Sequence, residues 1–165
     1  MTMSRDELDN IDTPQAEHRG SDPVSAPVVL VVEDDTWTRE AVGGRLQAAG
    51  FEALLVPSAA DALIVAQHST FDVLVLDLNL PDGSNTLHNI SDGFSILDWL
   101  RRQLGDFRFK IVVHTSERSP HILAKATEYD VFAVCYKQRE LDGLVQCVTR
   151  AVNSMKVATS HELFL

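Results

Sequence analysis

Cysteine is scarce in this chain, which has only Cys135 and Cys147 among its 165 residues. The two are not arranged as a CxxC pair, and Cys135 lies within an apolar run, where a thiol packs as a small hydrophobic group. This pattern does not imply a disulfide framework as the basis of the fold. It favours two reduced, partly buried thiols over a redox pair.

Basic residues and long apolar runs are also few. The 14 Lys and Arg residues are scattered and stand against 24 Asp and Glu, so the formal net charge is -10. Because a chain that binds nucleic acid needs a basic stripe to neutralise phosphates, we expect no nucleic-acid partner. Apolar runs reach about five residues, whereas a membrane span needs about 20, and the first residues are polar where a signal peptide is apolar. The sequence therefore predicts a cytoplasmic protein with no membrane partner.

The rest of the sequence divides into three segments. Residues 1–26 have no aromatic residue, six acids and two arginines, interrupted by proline and glycine, which is typical of a disordered arm. Residues 27–156 are enough for one domain with a sizeable core. Residues 157–165 form a tail whose apolar end either docks on the domain or contacts a partner. Within the domain, the polar stretch at 83–91 is longer than a strand–helix loop needs.

Short apolar runs alternate with segments of helical period along the domain. The runs cover residues 28–32, 53–56, 73–76, 111–114 and 131–135. They are nearly all apolar, as strands buried on both faces must be. The pattern predicts an α/β fold of repeated strand–helix units around a parallel sheet.

The helices are predicted from periodicity and from their end signals. The first helix should cover residues 36–49, with Asp35 or Thr36 as its cap and Gly50 as a left-handed stop. Two later helices are predicted at 118–127 and 141–155.

Chemically useful residues follow four of the five predicted strands. Glu33 and Asp34 come after the first strand, Asp77 after the third, Thr115 after the fourth, and Lys137 after the fifth. The carboxyl ends of parallel strands meet at one edge of a sheet, where ligands bind. Carboxylates about 5 Å apart repel by about 3 kcal/mol per pair at an effective dielectric of about 20, so the cluster favours a cation. The sequence therefore predicts a metal site suited to phosphoryl chemistry.

Four motifs in order resemble the receiver domain of bacterial two-component response regulators. They are Val31-Val32-Glu33-Asp34-Asp35, Leu76-Asp77-Leu78-Asn79-Leu80-Pro81, Val113-His114-Thr115-Ser116 and Tyr136-Lys137. The resemblance covers about residues 28–155 and extends to the single-domain type, as in the chemotaxis response regulator. It implies a flavodoxin-like, doubly wound, five-stranded parallel sheet in the order 2-1-3-4-5, with helices on both faces.

The resemblance also implies roles for individual residues. Asp77 would be the phosphoacceptor, with Lys137 contacting a phosphoryl oxygen and Thr115 donating its hydroxyl once the phosphoryl group arrives. Mg2+ would be the cofactor. Its ligands would be Asp34, Asp77 and the backbone carbonyl of Asn79, with Glu33 acting mostly through bound water. Asp35 is expected to be a helix cap rather than a ligand.

The implied partners follow from the same family. The phosphoryl donor would be a histidine kinase or a histidine phosphotransfer protein, and the only catalysis would be self-catalysed transfer and autodephosphorylation. No DNA-binding or enzymatic domain is expected after residue 155, so the output of this single-domain regulator would be binding of another protein or of a second copy. A sink that drains phosphate from another relay is equally permitted.

The chain also departs from the family pattern. Gln138 replaces the proline that usually follows the lysine, and Val134 replaces an aromatic residue that usually moves when the threonine engages phosphate. Phe132 and Tyr136 lie on the same strand face as Val134 and are the candidate substitutes. The insertion at 83–91 could shield the acyl phosphate, select the donor, or be neutral. By the same resemblance, the residues at the two lifetime-tuning positions, Asn79 and Glu117, imply short-lived phosphorylation.

Two alternative functions remain open. The first is a phosphorylation-independent adaptor, a receiver fold that has lost its switch through Gln138 and Val134. The second is a haloacid dehalogenase-type phosphatase, whose Asp-x-Asp motif the chain meets poorly.

We also predict how two further side chains pack. His114 should pack inside its strand, and Trp37 should pack under the first helix.

Overall fold

The computed structural model describes residues 25–80, 93–105, 108–137 and 141–162. Within these ranges, five strands alternate with five helices. The elements are β1 (Val28–Val32), α1 (Thr36–Ala48), β2 (Glu52–Val56), α2 (Ala59–His68), β3 (Val73–Leu76), α3 (Gly93–Leu104), β4 (Lys110–Thr115), α4 (Pro120–Glu128), β5 (Ala133–Tyr136) and α5 (Asp142–Glu162).

The strands form one parallel sheet in the order β2-β1-β3-β4-β5. This confirms the predicted doubly wound topology. The register places Val32 beside both Val56 and Leu76. Because the next residues are Glu33 and Asp77, the acids that follow β1 and β3 leave the sheet side by side.

Alternate side chains of the central strands enter two separate hydrophobic clusters. Leu30 and Leu74 pack with residues of α2, α3 and α4, whereas Val29 and Val73 pack with residues of α1 and α5 on the other face. Full burial of each such side chain is worth about 1.5–3 kcal/mol relative to leaving it exposed. The all-apolar character of the central strands therefore follows from the helices on both faces.

Burial on both faces was predicted for every strand, and this is wrong for the two edge strands, β2 and β5. Of β2 only Val56 is buried, and all four residues of β5 are half-buried, because each edge strand has a neighbouring strand on one side.

β5 also begins at Ala133 rather than at residue 131. Val131 still belongs to the turn that closes α4, because Asp130 has a φ of 53° and the Val131 amide donates to the Ala126 carbonyl. The Phe132 amide already donates to the Ile111 carbonyl of β4 at 2.8 Å.

The ends of the helices follow the predicted signals. Asp35 caps α1 by accepting a hydrogen bond of 2.7 Å from the Thr38 amide, and Gly50, with a φ of 91°, lies in the turn after α1. The helix predicted at 118–127 begins two residues later, at Pro120, because Ser119 is its cap. α5 extends to Glu162 and includes part of the segment treated as a tail.

The two cysteines are free and half-buried, as predicted. The fold places Cys135 of β5 against Cys147 of α5, which the sequence spacing did not reveal. Burial, together with the hydrogen bond and charge of the neighbouring Cys147 thiol, raises the pKa of Cys135 to about 12. Cys135 is therefore protonated at neutral pH.

Several expectations fall outside the described residues. They concern the arm up to residue 24, the insertion at 83–91, Gln138, and the apolar end of the chain at 163–165. Among the helices that the structure describes, none is long and apolar enough to cross a membrane.

Candidate functional site

Three carboxylates meet at the carboxyl edge of the sheet between β1 and β3. Glu33 and Asp77 are each 2% exposed, whereas Asp34 is exposed. One ligand oxygen from each of the three lies within 4.8 Å of the others. The amide of Glu33 donates to Val56 and that of Asp77 to Val32, so strand pairing fixes the backbone of the two buried acids.

Lys137 lies between the two buried acids. Its Nζ is 2.7 Å from Asp77 Oδ2 and 2.8 Å from Glu33 Oε2. Its backbone amide donates to the Thr115 carbonyl at 2.8 Å, which holds the start of the β5–α5 loop against β4. The Lys137 side chain, 23% exposed, therefore supplies the positive charge that makes a buried acid pair tolerable.

The pKa values of this group reflect burial opposed by pairing. Desolvation raises the pKa of Glu33, an effect that the Lys137 hydrogen bond reduces and the Asp77 charge reinforces. Desolvation alone would lower the pKa of Lys137, but its hydrogen bonds and charge interactions with Asp77 and Glu33 raise it. Lys137 is thus firmly charged, and Glu33 takes up a proton more readily than an ordinary glutamate.

Thr115 ends β4 and is fully buried. Its Oγ1 accepts a hydrogen bond of 3.1 Å from the Glu117 amide. Val113, two residues earlier in β4, pairs with Leu76, which precedes Asp77. The hydroxyl is therefore held at the same edge of the sheet as the acids.

Asn79 connects two loops of the site. Its backbone amide donates to Asp77 Oδ1 at 3.0 Å, and its side-chain amide donates to Ser116 Oγ at 2.9 Å. The second bond joins the β3–α3 and β4–α4 loops. Sequence reasoning singled out Asn79 but gave Ser116 no role, because a contact between two loops leaves no periodic signal.

The β1–α1 turn carries Glu33 and Asp34 and is closed by two side chains. Asp35 caps α1 as predicted, and its hydrogen bonds to the Thr38 amide and hydroxyl lower its pKa. Arg39, which sequence reasoning missed, donates from Nη1 to the carbonyls of Glu33 and Asp34 at 2.8 and 3.0 Å. The sequence signal that could have identified Arg39 is its position one helical turn after the capping Asp35.

Two predicted side-chain placements have opposite outcomes. His114 packs in β4 as expected: it is buried, and desolvation together with the Lys137 charge lowers its pKa to about 4. The packing of Trp37 under α1 is wrong, because its side chain is 86% exposed. Trp37 precedes the buried Val42 by five residues, which turns it about 140° away from the helix face that packs on the sheet.

The donor set of the cluster fits a hard divalent cation. All its candidate ligands are carboxylate oxygens, which Mg2+ prefers, and one of the acids is exposed and accessible. A buried carboxylate beside an ammonium group and a threonine hydroxyl could also accept and hold a phosphoryl group. These features agree with the function that the sequence motifs implied.

Comparison with known proteins gives the same result. A family model described as the response regulator receiver domain matches residues 29–149. The transcriptional regulatory protein PrrA of Mycobacterium tuberculosis is 34% identical over 83 residues, which are 50% of this chain and 32% of PrrA. The sensor histidine kinase AruS of Pseudomonas aeruginosa is 35% identical over 81 residues, or 49% of this chain and 7% of AruS. The chain therefore spans about a third or less of the length of these curated relatives.

Solved structures share the fold. A CheY-like response regulator receiver domain protein from Methanospirillum hungatei superposes with a TM-score of 0.69 at 18% identity, covering 81% of this chain and 99% of that one. The chemotaxis protein CheY4 of Vibrio cholerae gives a TM-score of 0.66 at 26% identity, covering 76% and 98%. The sheet order, the acidic cluster and the family match lead to one conclusion: the chain belongs to the response regulator receiver domain family.

Proposed function

We propose that this domain accepts a phosphoryl group on Asp77 from a phosphohistidine of a sensor histidine kinase or a histidine phosphotransfer protein. Receiver domains are signalling domains that histidine kinases phosphorylate, and this chain is one of them. The observation that carries the proposal is the environment of Asp77. Its carboxylate is buried, with one oxygen held by the Asn79 amide and the other by Lys137 Nζ, beside Glu33 and Asp34.

In the proposed reaction, a carboxylate oxygen of Asp77 forms a bond to phosphorus as the P–N bond to the donor imidazole breaks. The electron pair of that bond stays on the imidazole nitrogen. Lys137 moves its hydrogen bond from the carboxylate to a phosphoryl oxygen. The buried Thr115 hydroxyl then donates to another phosphoryl oxygen while it still accepts from the Glu117 amide.

Mg2+ is the cofactor of the proposed reaction. Asp34 and Asp77 would hold it directly, with Glu33 contributing through water and the backbone carbonyl of Asn79 completing the protein ligands. When bound, it neutralises the negative charge of the phosphoryl group during transfer. The exposed Asp34 carboxylate leaves the cluster open on one side for the ion and the donor.

The output would be a phosphorylation-dependent change in protein binding at the surface of α4, β5 and α5. Three consecutive residues of the β4–α4 loop support this route. Ser116 contacts Asn79, the Glu117 amide contacts Thr115, and the Arg118 guanidinium lies 4.9 Å from the centre of the Tyr136 ring. Movement of the Thr115 hydroxyl toward phosphate would thus reach β5 through this loop. The output partner, whether another protein or a second copy, stays a prediction, as does the single-domain, cytoplasmic character.

Intact mass spectrometry tests the proposal. The protein is incubated with acetyl phosphate or phosphoramidate and Mg2+, beside Asp77→Asn and the control Asp35→Asn, in which asparagine still caps α1. One phosphoryl adduct is expected on the wild type and on Asp35→Asn. None is expected on Asp77→Asn or after addition of a chelator.

The alternative outcomes identify the rival functions. No adduct with either donor, and none with a histidine-phosphorylated protein, would favour the phosphorylation-independent adaptor. Multiple turnover of a phosphate ester would favour the dehalogenase-type phosphatase.

A further inference from the structure

Arg39 binds the backbone of the two residues that begin the acidic cluster. Its Nη1 donates to the Glu33 carbonyl at 2.8 Å and to the Asp34 carbonyl at 3.0 Å, and its Nη2 donates to Thr36 Oγ1 at 3.3 Å. Its own amide donates to the Asp35 carbonyl at 2.9 Å. One side chain therefore spans the whole turn from β1 to α1.

The two carbonyls need such a donor. Glu33 and Asp34 follow the last paired residue of β1 and precede the cap of α1, so neither the sheet nor the helix provides a partner. In the part of the chain that the structure describes, the donor recorded for each carbonyl is Arg39. A guanidinium suits this task because Nη1 carries two N–H groups, one for each carbonyl, while Nη2 of the same planar fork reaches the Thr36 hydroxyl.

The two carboxylates depend on this turn to different degrees. Glu33 is also held through its side chain, by Lys137 at 2.8 Å and by the Asp35 amide at 3.3 Å. The Asp34 carboxylate is exposed, and no hydrogen bond to it is recorded among the described residues. The backbone therefore sets the point from which the Asp34 side chain extends, and Arg39 holds that backbone.

Helix electrostatics do not account for Arg39. It lies near the amino end of α1, where the partial positive charge of the helix disfavours a cation. Its hydrogen bonds go to main-chain oxygens and to a hydroxyl. The contacts fit a residue that fixes the shape of the turn.

We infer that Arg39 is a positioning residue that holds Asp34, and with it Glu33, in the geometry that binds the divalent cation. It acts through the backbone and does not touch the ion or the phosphoryl group. This inference rests on the proposed function in that it takes the acidic cluster to be a Mg2+ site. It adds a residue of α1 that is not itself a ligand.

The test measures Mg2+ affinity of the unphosphorylated protein by calorimetry, together with the melting temperature in chelator. The variants are Arg39→Gln and Arg39→Lys, and the matched control is Arg45→Gln, which removes an arginine of the same helix that pairs with Asp142. Loss of a group that orients metal ligands costs about 10- to 100-fold in metal affinity. We expect a Mg2+ dissociation constant at least about tenfold higher in both Arg39 variants, since lysine lacks the planar fork that reaches Thr36 as well as the two carbonyls, and no change in Arg45→Gln.

Each other outcome overturns the inference. A dissociation constant within about twofold of wild type in Arg39→Gln means that the turn holds Asp34 without help. Recovery of affinity in Arg39→Lys means that charge, and not the fork, is what matters. A lower melting temperature in both variants with unchanged affinity of the folded protein means that Arg39 serves stability only.

Failure of the inference is distinguishable from failure of the proposed function. If the wild type binds Mg2+ and forms the adduct but the Arg39 variants bind Mg2+ equally well, only the inference is wrong. If the variants lose Mg2+ affinity but the wild type never forms an adduct, only the proposed function is wrong. A wild type that does not bind Mg2+ overturns both.

Discussion

At the residue scale, Lys137 neutralises buried acids that a cation would otherwise neutralise. Its ammonium group lies 2.7 Å from Asp77 and 2.8 Å from Glu33. Replacing it should have opposite effects on stability and on metal binding, because the acids lose their partner and the ion loses its competitor.

The first prediction concerns Lys137→Met. Breaking a buried ion pair costs about 3–5 kcal/mol, and the partial exposure of this lysine makes that an upper limit. We expect a lower free energy of unfolding in chelator, tighter Mg2+ binding, and slower formation of the phosphoryl adduct. Urea unfolding, calorimetry and timed mass spectrometry measure the three quantities. Lys110→Met, at the opposite end of β4, is the control, and weaker Mg2+ binding by Lys137→Met would contradict the prediction.

His114 gives a second residue-scale prediction, for pH. Desolvation, with the Lys137 charge, lowers its pKa from 6.5 to about 4 in the folded protein. Between pH 6.5 and about 4, His114 is protonated in the unfolded chain but not in the folded chain. The stability associated with the neutral imidazole is therefore complete above pH 6.5 and is lost as the pH falls toward about 4.

Substitution of His114 should remove this dependence. Over that pH window, the free energy of unfolding of His114→Gln should fall less steeply than that of the wild type, by up to about 3 kcal/mol in total. Urea titrations at several pH values provide the measurement, with His121→Gln at an exposed site as the control. Parallel pH profiles for wild type and His114→Gln would show that other groups cause the loss.

Residue roles were predictable from the sequence only where they depend on strand ends. Asp77 and Lys137 each follow an apolar run, so parallel pairing alone brings them to one edge. Arg39 and Ser116 were not predictable in this way, because their contacts depend on the path of a turn and on two loops meeting. Trp37 was misplaced because adjacency to buried acids says nothing about the phase of a helix.

At the element scale, the contact between α1 and β2 depends on one glycine. A Cβ added at Gly43 would lie 2.6 Å from Leu55 Cδ1 and 3.0 Å from its Cδ2, whereas one at Gly44 would meet nothing within 4 Å. Leu55 packs against the cluster between the sheet and α1, so it has limited freedom to move. Two adjacent glycines of one helix should therefore respond oppositely to the same substitution.

The third prediction uses this pair. Gly43→Ala should lower the free energy of unfolding by about 1–3 kcal/mol because it overpacks the core. Gly44→Ala should raise it by about 0.5–1 kcal/mol because alanine favours the helix. Urea unfolding in the same buffer measures both. A stabilised Gly43→Ala would mean that Leu55 adopts another rotamer without loss.

At the element scale, Tyr136 is the candidate residue for transmitting a change at the phosphorylation site to β5. Val134 cannot act as the aromatic switch of the family, whereas Tyr136 pairs with Thr115 across the strands and lies under Arg118. A guanidinium over an aromatic ring contributes about 0.5–2 kcal/mol, enough to link the β4–α4 loop to β5. The expectation that Phe132 lies on the same face as Val134 is wrong, because Phe132 packs with the cluster on the other face of the sheet. Tyr136 is therefore the better of the two candidates.

The fourth prediction compares Tyr136→Leu with the control Tyr136→Phe, which keeps the ring. Hydrogen exchange of α4 and of the start of α5 is measured with and without acetyl phosphate and Mg2+. All three proteins should form the adduct, and the exchange change should appear in wild type and Tyr136→Phe but not in Tyr136→Leu. An undiminished change in Tyr136→Leu would rule out the ring as the transmitter.

Element type and sheet order followed from the sequence more readily than element bounds did. Runs of β-branched residues separated by helical period define strand–helix units, and the resemblance supplies their order. The start of β5 was placed two residues early because Val131 and Phe132 are apolar like the strand. The left-handed Asp130 directs Val131 into the turn after α4, and Phe132, whose amide already donates to Ile111 of β4, lies at the junction of turn and strand. Apolar composition does not distinguish a strand from a buried turn.

At the scale of the whole molecule, metal binding and folding are linked. Each central strand is fixed by helices on both faces, and the acids follow directly from two of these strands. The unfolded chain has no comparable arrangement of carboxylates, so an ion that binds the folded cluster stabilises the fold by mass action. The net charge of -10 also makes the folded chain repel itself, and any cation weakens this repulsion. The experiment must therefore separate this general effect from stabilisation by an ion bound at the acidic cluster.

The fifth prediction is a Mg2+-dependent rise in the melting temperature. At a Mg2+ concentration about 100 times the dissociation constant, the stabilisation should be about 2.7 kcal/mol, or several degrees for a domain of this size. Asp34→Asn should abolish most of the rise because it removes a proposed ligand. The fold should tolerate the change because Asp34 is exposed and does not support the core.

The control for general screening is NaCl at matched ionic strength. Because burial raises the pKa of Glu33, the rise should also shrink as the pH falls and protons compete for that carboxylate. An equal rise in Asp34→Asn, or in NaCl alone, would assign the effect to overall charge instead of to the acidic cluster.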